Sequence, residues 1–370
     1  MNFSHAQVLV LNAGSSSLKW TVLEAATEAL VTEGSTTWEG TEGGRHRAEM
    51  SAVLKQLPRV DAVGHRVVHG GATLREAVVV DARARQLIAD LSELAPLHNP
   101  AALAGIDAAS AALPGVPQVA AFDTAFHATM PEAAAQYAIP REWTQRWGLR
   151  RFGFHGLSVQ YAVRRSRELL GAVPRHLVVC HLGAGCSVTA VLDGRSVNTS
   201  MGFTPQEGLM MARRSGSVDP GLLVYLLKYA GVEVADLDRG LNEDSGLVGV
   251  SGVSADWRAV LAAAAAGDAR ADLARAMFLH RLVATVGAMA ATLGGLDALV
   301  FTGGIGEHSA DVREAVAAGL QFAGARLAVP NDAPDTGDRD VAATDSHVRM
   351  LVIAAREDLT VLAEVRRLVL

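Results

Sequence analysis

Two short segments of small residues have the composition of phosphate-binding turns. The first is "LNAGSSSLK" (residues 11–19) and the second is "CHLGAGC" (residues 180–186). Glycine and serine leave backbone N–H groups open to a phosphate, and no bulky side chain blocks a close approach. A lysine in the first segment would add a compact positive charge. The sequence therefore predicts phosphate contacts from Ser15, Ser17 and Lys19 in the first turn and from His181, Leu182, Gly183, Ala184 and Gly185 in the second.

A third segment, "ALVFTGGIGEHS" (residues 298–309), joins an apolar run to a glycine pair and then to a helix-like stretch. Such a junction suits a nucleotide that lies against the backbone, because the first N–H groups of a helix are free to bind an anion. A single junction of this kind also occurs in simple packing. Three phosphate-compatible turns in one chain favour a nucleotide-binding protein.

The elements around these turns alternate between short apolar runs and helical stretches, which is typical of an α/β fold. Each of the first two turns joins an apolar strand to a second strand that ends in Val-Leu, so residues 11–23 and 180–192 form an internal repeat. The repeat predicts a duplicated architecture with one phosphate turn in each half. A long alanine-rich helical region at 257–293 is expected to break at Gly267, and the polar stretch at 32–47 is predicted to be a loop.

The composition excludes several classes of protein. The 370 residues carry a formal net charge of −6, without the basic signature of nucleic-acid binding. The only cysteines, Cys180 and Cys186, have neither zinc-site nor disulfide-scaffold spacing. No signal peptide is expected, and the longest uncharged run (residues 282–296) is shorter than the ~20 residues of a membrane span. We therefore expect a cytoplasmic protein with neither a nucleic-acid nor a membrane partner.

The order of the three turns is similar to that in the superfamily of acetate and sugar kinases, Hsp70 and actin. Within this superfamily the chain resembles the acetate kinase (acetokinase) family from end to end, in "NAGSSSLK", "GHRVVHGG", "FDTAFH", "RFGFHG", "HLGAG", "TSMGFTPQEGLMM" and "FTGGIGEHS". The resemblance implies phosphoryl transfer from ATP to acetate, giving acetyl phosphate and ADP. It also implies two lobes of a duplicated actin-like (ribonuclease H-like) fold with the active site in the interdomain cleft. Residues 1–148 and 357–370 would form the N-terminal lobe, and residues 149–356 the C-terminal lobe.

The chemistry of the implied reaction explains which residues it needs. A carboxylate with a pKa of about 4–5 is ionised at neutral pH and can attack a phosphate without a strong general base. The obstacle is repulsion between an anion and a polyanion, so catalysis should depend on fixed cations, Mg²⁺ and alignment. By resemblance, Arg66 binds the acetyl carboxylate and Arg214 stabilises the phosphoryl group during transfer. His155 matches the family's transition-state stabiliser, and His98 matches a position near the acyl site.

The resemblance also implies a catalytic aspartate and a metal site. Asp123 matches the family's catalytic aspartate, for which we favour a role as an anchor of an arginine or of metal-bound water. Glu357 matches the glutamate that is linked to Mg²⁺, with Asp358 beside it as the alternative. Asn12 would hold the water shell of the same metal. Because Mg²⁺ retains several waters, few protein ligands are expected.

Two further groups of residues follow from the resemblance. The acetyl methyl group would lie among Val68, Leu97, Phe154 and Pro205. The adenosine site would be formed by Asp256, Trp257, Arg258, Gly304, Ile305, Gly306, Glu307 and His308.

At several site positions the sequence departs from the family pattern. Ala184 stands where the family has a phosphate-facing asparagine, and other family residues are replaced by Leu157, Val159, Asn198, Arg213 and His308. Three functions therefore stay open: an acetate kinase, a kinase of propionate or another short-chain acid, and a non-catalytic nucleotide-binding module like Hsp70 or actin. The retained arginines favour an enzyme, and Ala184 favours the module. A homodimer is expected from the family alone.

Overall fold

A computed structural model describes residues 5–14, 17–37, 50, 53–54, 57–96, 98–328 and 337–370. The chain forms two compact units, of which the first comprises the residues up to Ala128, Phe154–Tyr161 and Arg356–Leu370. The second comprises Thr129–Gly153 and Ala162–Ala355. Residues 129–148, which the resemblance places in the N-terminal lobe, group with the second unit, where the Thr129 hydroxyl donates to the Ser196 carbonyl at 2.9 Å. The lobe boundaries remain a prediction.

The first unit contains a six-stranded mixed sheet. Its strands are β1 (Gln7–Ala13), β2 (Ser17–Glu24), β3 (Leu30–Thr37), β4 (Ala62–Val67), β5 (Val78–Val79) and β6 (Gln118–Phe122), in the order β3-β2-β1-β4-β6-β5. The first three strands are antiparallel, whereas β4 lies parallel to β1 and β6 lies parallel to β4. The carboxyl ends of β1, β4 and β6 therefore meet at one edge of the sheet.

The second unit repeats this topology. Its strands are β7 (His176–Leu182), β8 (Cys186–Leu192), β9 (Arg195–Thr199), β10 (Ala298–Thr302), β11 (Arg339–Asp340) and β12 (Arg349–Val352), in the order β11-β12-β10-β7-β8-β9. The strands β9, β8 and β7 are antiparallel to their neighbours, as in the first sheet. They are followed by β10 and β12, which both run parallel to β7. The predicted α/β fold with duplicated architecture is confirmed.

Helices cover both sheets. Those with bounds within the described residues are α1 (Ala82–Asp90), α2 (Asn99–Ala112), α3 (Glu132–Ala135), α4 (Arg141–Trp147), α5 (Gly156–Leu170), α6 (Pro220–Lys228), α7 (Val234–Asn242), α8 (Gly246–Ser251), α9 (Trp257–Ala265), α10 (Ala269–Leu293), α11 (Gly303–His308), α12 (Ala310–Gly319) and α13 (Glu357–Val369). In the first unit α13 packs closely on β4, because Gly64 has no side chain. A Cβ there would lie 2.4 Å from Cγ1 of Val361. This close approach brings the start of α13 to the strand that carries Arg66.

The alanine-rich region breaks where the sequence predicts. Gly267 has a positive φ of 93°, and Asp268 then caps α10 by accepting from the backbone N–H groups of Arg270 and Ala271. By length and composition α10 could cross a membrane. It contacts β7 and β8, and its buried residues include Phe278, so it is a core helix of the second unit.

The predicted loop at 32–47 is wrong for its first six residues, because residues 32–37 belong to β3. These residues pair with β2, and along the strand exposed side chains alternate with half-buried ones. A strand with one solvated face needs no apolar run. Residues 38–47 lie outside the described residues.

Candidate active site

Three side chains that the sequence singled out contact the guanidinium group of Arg66, a fourth such residue, in the first unit. Arg66 donates from Nη2 and Nε to the two carboxylate oxygens of Asp123, at 2.6 and 3.2 Å. Its Nη1 donates to Oδ1 of Asn12 at 3.2 Å, and its Nε lies 3.2 Å from Oε2 of Glu357. Burial alone would lower the pKa of Arg66, but the negative charges of Asp123 and Glu357 outweigh burial and raise the pKa. This arginine is therefore permanently charged.

The sheet explains why these residues meet. Asn12 lies near the carboxyl end of β1, Arg66 lies near that of β4, and Asp123 directly follows β6. Parallel strands place their carboxyl ends at one edge, where open α/β sheets bind ligands. Glu357 joins them from the first turn of α13, whereas the neighbouring Asp358 forms an ion pair with Arg356 at 2.9 Å. Of the two candidate carboxylates, Glu357 is the one beside Arg66.

His155 has a backbone conformation that is rare for a residue with a side chain. Its φ is +60°, in the left-handed region, which is strained for residues other than glycine. The next residue, Gly156, donates its N–H to the Asp123 carbonyl at 2.8 Å, and a Cβ there would lie 2.2 Å from that oxygen. The close backbone approach holds His155 near Asp123. The other candidate, His98, is half-buried immediately before α2.

Three further histidines of this unit are buried. His65 shares a hydrogen bond with Oε1 of Gln118 at 2.8 Å, and His127 donates from Nε2 to the Phe154 carbonyl at 2.9 Å. Burial lowers the pKa of His65 and of His127 to about 4, so both are neutral at pH 7. His69 accepts from the Gly71 N–H at 2.9 Å. These hydrogen bonds give all three histidines structural contacts within the unit.

The predicted acetyl pocket is only partly described. Val68 is half-buried directly after β4, and Phe154 is fully buried with its ring 5.4 Å from that of His69. Leu97 lies outside the described residues, and Pro205 belongs to the second unit. The grouping of the four residues remains a prediction.

The two predicted phosphate turns are both hairpin turns, but they differ in length. In the first, the Gly14 N–H donates to the Ser17 carbonyl at 2.7 Å; in the second, the Gly183 N–H donates to the Gly185 carbonyl at 2.9 Å. Leu11 pairs with Trp20, whereas its counterpart Cys180 pairs with Val188. The second turn is therefore one residue shorter than the sequence repeat suggested.

The remaining candidates of the first turn are only partly described. Ser15 lies outside the described residues, and Ser17 begins β2. Lys19 is exposed on β2 opposite Asn12.

A cavity of about 680 Å³ in the second unit brings the second turn together with most of the predicted adenosine residues. Such a volume is typical of sites for small-molecule cofactors. Residues that the sequence singled out and that line it are Gly183, Ala184, Asp256, Trp257, Arg258, Gly304, Ile305 and His308. Lining residues that were missed are Ala255, Leu261, Ser309, Ala310 and Asp311, most of which are sequence neighbours of the matching motifs.

Several cavity residues also have structural contacts. Asp256 caps α9 by accepting from the Arg258 N–H, and hydrogen bonds from Arg258 lower the pKa of Asp256. The Trp257 ring is buried, and its Nε1 donates to Oγ of Ser309 at 3.0 Å. Glu307, which does not line the cavity, also has a structural contact, because its Oε1 accepts from the Ala355 N–H at 3.0 Å.

Five other nucleotide-binding candidates of the second unit do not line the cavity. Glu307 and Gly306 are outside its wall, as are Leu182 and Gly185 of the second turn. His181 is half-buried on β7 opposite Ser187. The ligand contacts of these residues remain predictions.

Arg214 has a different electrostatic environment from Arg66. Its Nη1 donates to the Pro205 carbonyl, and burial lowers its pKa. Within the described part of the chain no acidic side chain forms an ion pair with it. A half-buried cation without a counter-charge is suited to binding an anion.

Comparison with known proteins identifies the family. Residues 44–363 match the model of the acetokinase family. The acetate kinase of Nostoc punctiforme is 46% identical over 392 aligned positions, covering 95% of this chain and 96% of that protein. The crystal structure of Porphyromonas gingivalis acetate kinase has a TM-score of 0.91 at 35% identity, covering 99% of this chain and 100% of that one. A propionate kinase from Francisella tularensis has a TM-score of 0.89 at 36% identity, covering 98% and 100%. The chain belongs to the acetokinase family.

Proposed function

We propose that the chain is an enzyme that reversibly transfers the γ-phosphoryl group of ATP to acetate in the presence of Mg²⁺. The observation that carries the proposal is the convergence of Asn12, Asp123 and Glu357 on Arg66 at the carboxyl ends of three parallel strands. Full-length similarity to acetate kinases supports the same reaction.

In the proposed reaction a carboxylate oxygen of acetate attacks the γ-phosphorus. The bond from that phosphorus to the β,γ-bridging oxygen breaks, and the electron pair leaves with ADP. Acetate is already ionised, so no proton has to move. Arg66 would bind the carboxylate and offset its repulsion from the phosphates, and Asp123 would hold Arg66 in place. Arg214 would stabilise the charge on the phosphoryl group in transfer.

Mg²⁺ is part of the proposal, and Asn12 and Glu357 are the residues that would hold its water shell. Both present oxygen donors, which Mg²⁺ prefers, at the Arg66 guanidinium. Among the described residues no three His, Cys, Asp or Glu side chains form a metal-binding group, so few protein ligands would be used. When bound, the ion would offset negative charge on the phosphates.

The 680 Å³ cavity of the second unit is the proposed adenosine site. Gly183 and Ala184 of the second turn form part of its wall, which would place the phosphates of a bound nucleotide near the glycine-rich backbone. Asp256 and Arg258 would contact the nucleoside.

A kinase of propionate is the second candidate, because the Francisella tularensis propionate kinase is as similar to this chain as the Porphyromonas gingivalis acetate kinase is. The two are separated by incubating the protein with ATP, Mg²⁺ and formate, acetate, propionate or butyrate and trapping the acyl phosphate with hydroxylamine. We expect acetate to react best, and propionate about 10–200-fold more slowly, as hydrophobic pockets discriminate one methylene.

Two other outcomes of the hydroxylamine assay would each favour a different function. Equal use of acetate and butyrate would favour a broader acyl kinase. No acyl hydroxamate from any acid, with ATP still bound, would favour the non-catalytic module.

A homodimer in the cytoplasm completes the proposal. Helix α6 has no buried residue, and Leu222, Val224 and Tyr225 on it are 46%, 48% and 57% exposed. Exposed apolar side chains of this kind are typical of interaction sites, and a two-fold contact would bury them against the same side chains of a second copy. Light scattering should give twice the chain mass, and Tyr225→Asp should give the monomer mass. A monomeric wild type would exclude the dimer.

A further inference from the structure

We infer that Tyr137, Arg151 and Glu207, here called the clamp, position the loop of residues 200–207 and through it orient Arg214. The inference rests on the proposed function for its kinetic consequence. All of these residues belong to the second unit. The clamp residues do not line the nucleotide cavity, and so they would act on the reaction only through other groups.

The clamp is a closed set of mutual contacts. The Arg151 Nη2 donates to Oε1 of Glu207 at 2.5 Å, and the Tyr137 hydroxyl donates to Oε2 of Glu207 at 2.5 Å. The Arg151 guanidinium also lies over the Tyr137 ring, 5.6 Å from its centroid. Both oxygens of Glu207 are thus engaged, one by a cation and one by a hydroxyl group. Charge-assisted bonds of this kind are stronger than neutral ones and fix geometry.

The clamp fastens the loop along its length. Nη1 of Arg151 donates to the carbonyl oxygens of Thr199, Ser200 and Met201, each at 3.1 Å. The Phe203 N–H donates to the Tyr137 hydroxyl at 2.8 Å. Glu207 is itself the last residue of the loop. A segment without regular secondary structure therefore gains fixed points at its start, middle and end.

Gly202 allows the clamp to close over the loop. A Cβ at this position would lie 1.8 Å from Oε2 of Glu207 and 2.2 Å from the Tyr137 hydroxyl oxygen. Any side chain here would push the two clamp residues away from the backbone. The Phe152 N–H donates to the Gly202 carbonyl at 3.0 Å, so this part of the loop is also held on its other side.

The loop connects the clamp to Arg214. Pro205 lies two residues before Glu207, and its carbonyl accepts from Nη1 of Arg214. No acidic side chain among the described residues pairs with Arg214, so this carbonyl is a principal group orienting the guanidinium. Movement of the loop would turn the guanidinium away from the phosphoryl group. Misplacement of a catalytic group by about 1 Å can reduce turnover about 100-fold.

The test is the substitution Tyr137→Phe, which removes one hydroxyl group and keeps the ring. We expect kcat to fall about tenfold or more, with the KM for ATP within about twofold of wild type, because the hydroxyl bridges a carboxylate and the loop backbone. Gly202→Ala should give the same pattern by opening the clamp. The matched control is Tyr229→Phe, at a side chain that is 77% exposed.

A double-mutant cycle separates positioning from general stability. In an Arg214→Ala background, Tyr137→Phe should change kcat by less than about twofold, since the group being positioned is gone. An equal loss in both backgrounds would show a merely structural role and overturn the inference. So would wild-type kcat in both Tyr137→Phe and Gly202→Ala.

Hydrogen exchange tests the clamp without catalysis. Tyr137→Phe should speed exchange of the Phe203 amide, and unchanged exchange would overturn the inference whether or not the protein is a kinase. Absence of acyl hydroxamate from the wild type, with faster exchange in the variant, would instead contradict the proposed function alone.

Discussion

Both carboxylate oxygens of Asp123 are bound by the guanidinium group of Arg66, at 2.6 Å from Nη2 and 3.2 Å from Nε. The Asp123 side chain is 1% exposed. Two charge-assisted hydrogen bonds to one guanidinium group fix the relative position of the two side chains. Asp123 is therefore built to orient Arg66. This arrangement agrees with a reaction in which an ionised acid is the nucleophile.

The first prediction tests this role with Asp123→Asn. The substitution keeps one oxygen acceptor for Arg66 but removes the charge, so we expect the KM for acetate to rise about tenfold or more. The shape of the pH–rate profile between pH 6 and 9 should not change. The control is Asp107→Asn, because Asp107 forms the same two-point contact with Arg85 away from this site, at 2.7 and 2.8 Å. Loss of one limb of the profile in Asp123→Asn would show that Asp123 transfers a proton.

The second prediction compares Glu357→Gln with Asp358→Asn. Glu357 faces Arg66, whereas Asp358 faces Arg356. If Glu357 helps to hold the metal's water shell, its substitution should raise the Mg²⁺ concentration needed for half-maximal activity about tenfold, the range found for groups that support a metal. Asp358→Asn should stay within about twofold of wild type. The measurement is initial rate against Mg²⁺ at fixed ATP, and the reverse order would assign the metal to Asp358.

The third prediction concerns Arg214 and its neighbour Arg213. Arg214→Ala should lower kcat by about 10²–10³, as expected for removal of a preorganised group that stabilises transition-state charge. The ATP affinity should change little. Arg213 is exposed, so Arg213→Ala is the matched control and should keep near-normal turnover. Near-normal turnover in Arg214→Ala would remove the role proposed for this residue.

The fourth prediction tests the departure at Ala184. The residue is exposed on the cavity wall, and its carbonyl accepts from the Ala212 N–H at 3.2 Å, so a longer side chain can enter the cavity without moving this backbone contact. Ala184→Asn should increase kcat/KM for ATP by restoring a charge-assisted hydrogen bond of about 1.5–3 kcal/mol. Ala184→Leu has similar size without a donor and should not. A loss of activity in Ala184→Asn would mean that the turn, with its alanine, accepts a phosphoryl donor other than ATP.

The sequence predicts the hairpins and the helix break well because these depend on local residues. Alternating strands around small turns, and Gly267 followed by a capping aspartate, determine their structure within a few residues. Strand β6 has no such signal. All residues of its sequence "QVAAF" are buried, so polar and apolar residues do not alternate along it. The sequence also contains no run of β-branched residues. The position of Asp123 could therefore be inferred only through the family motif.

Contacts between distant residues are the part that local patterns do not encode. Tyr137 and Glu207 are 70 residues apart, and neither has a signal in its neighbourhood. Arg66 and Glu357 come together because Gly64 admits α13 against β4, which is a packing effect. The one-residue difference between the two turns was not visible in the sequence repeat, because strand register depends on turn geometry as well as on the hydrophobic pattern.

The last prediction concerns stability at low pH and rests on His65. Burial lowers the pKa of this histidine to about 4, from 6.5 in the unfolded chain. Between these values the unfolded chain binds a proton that the native protein does not, so stability falls as the pH drops from 6.5 towards 4. At pH 5 the loss from His65 should be about 2 kcal/mol relative to neutral pH.

His65→Asn should reduce the difference between the urea midpoints at pH 7.5 and pH 5, even though it lowers the stability at pH 7.5. His5→Asn, at a side chain that is 90% exposed, is the control and should leave the difference unchanged. His127 is buried in the same unit with a pKa lowered to about 4, so part of the pH dependence should remain in His65→Asn. An unchanged difference in His65→Asn would mean that His65 can bind a proton in the folded protein, and its bond to Gln118 would then have to rearrange at low pH.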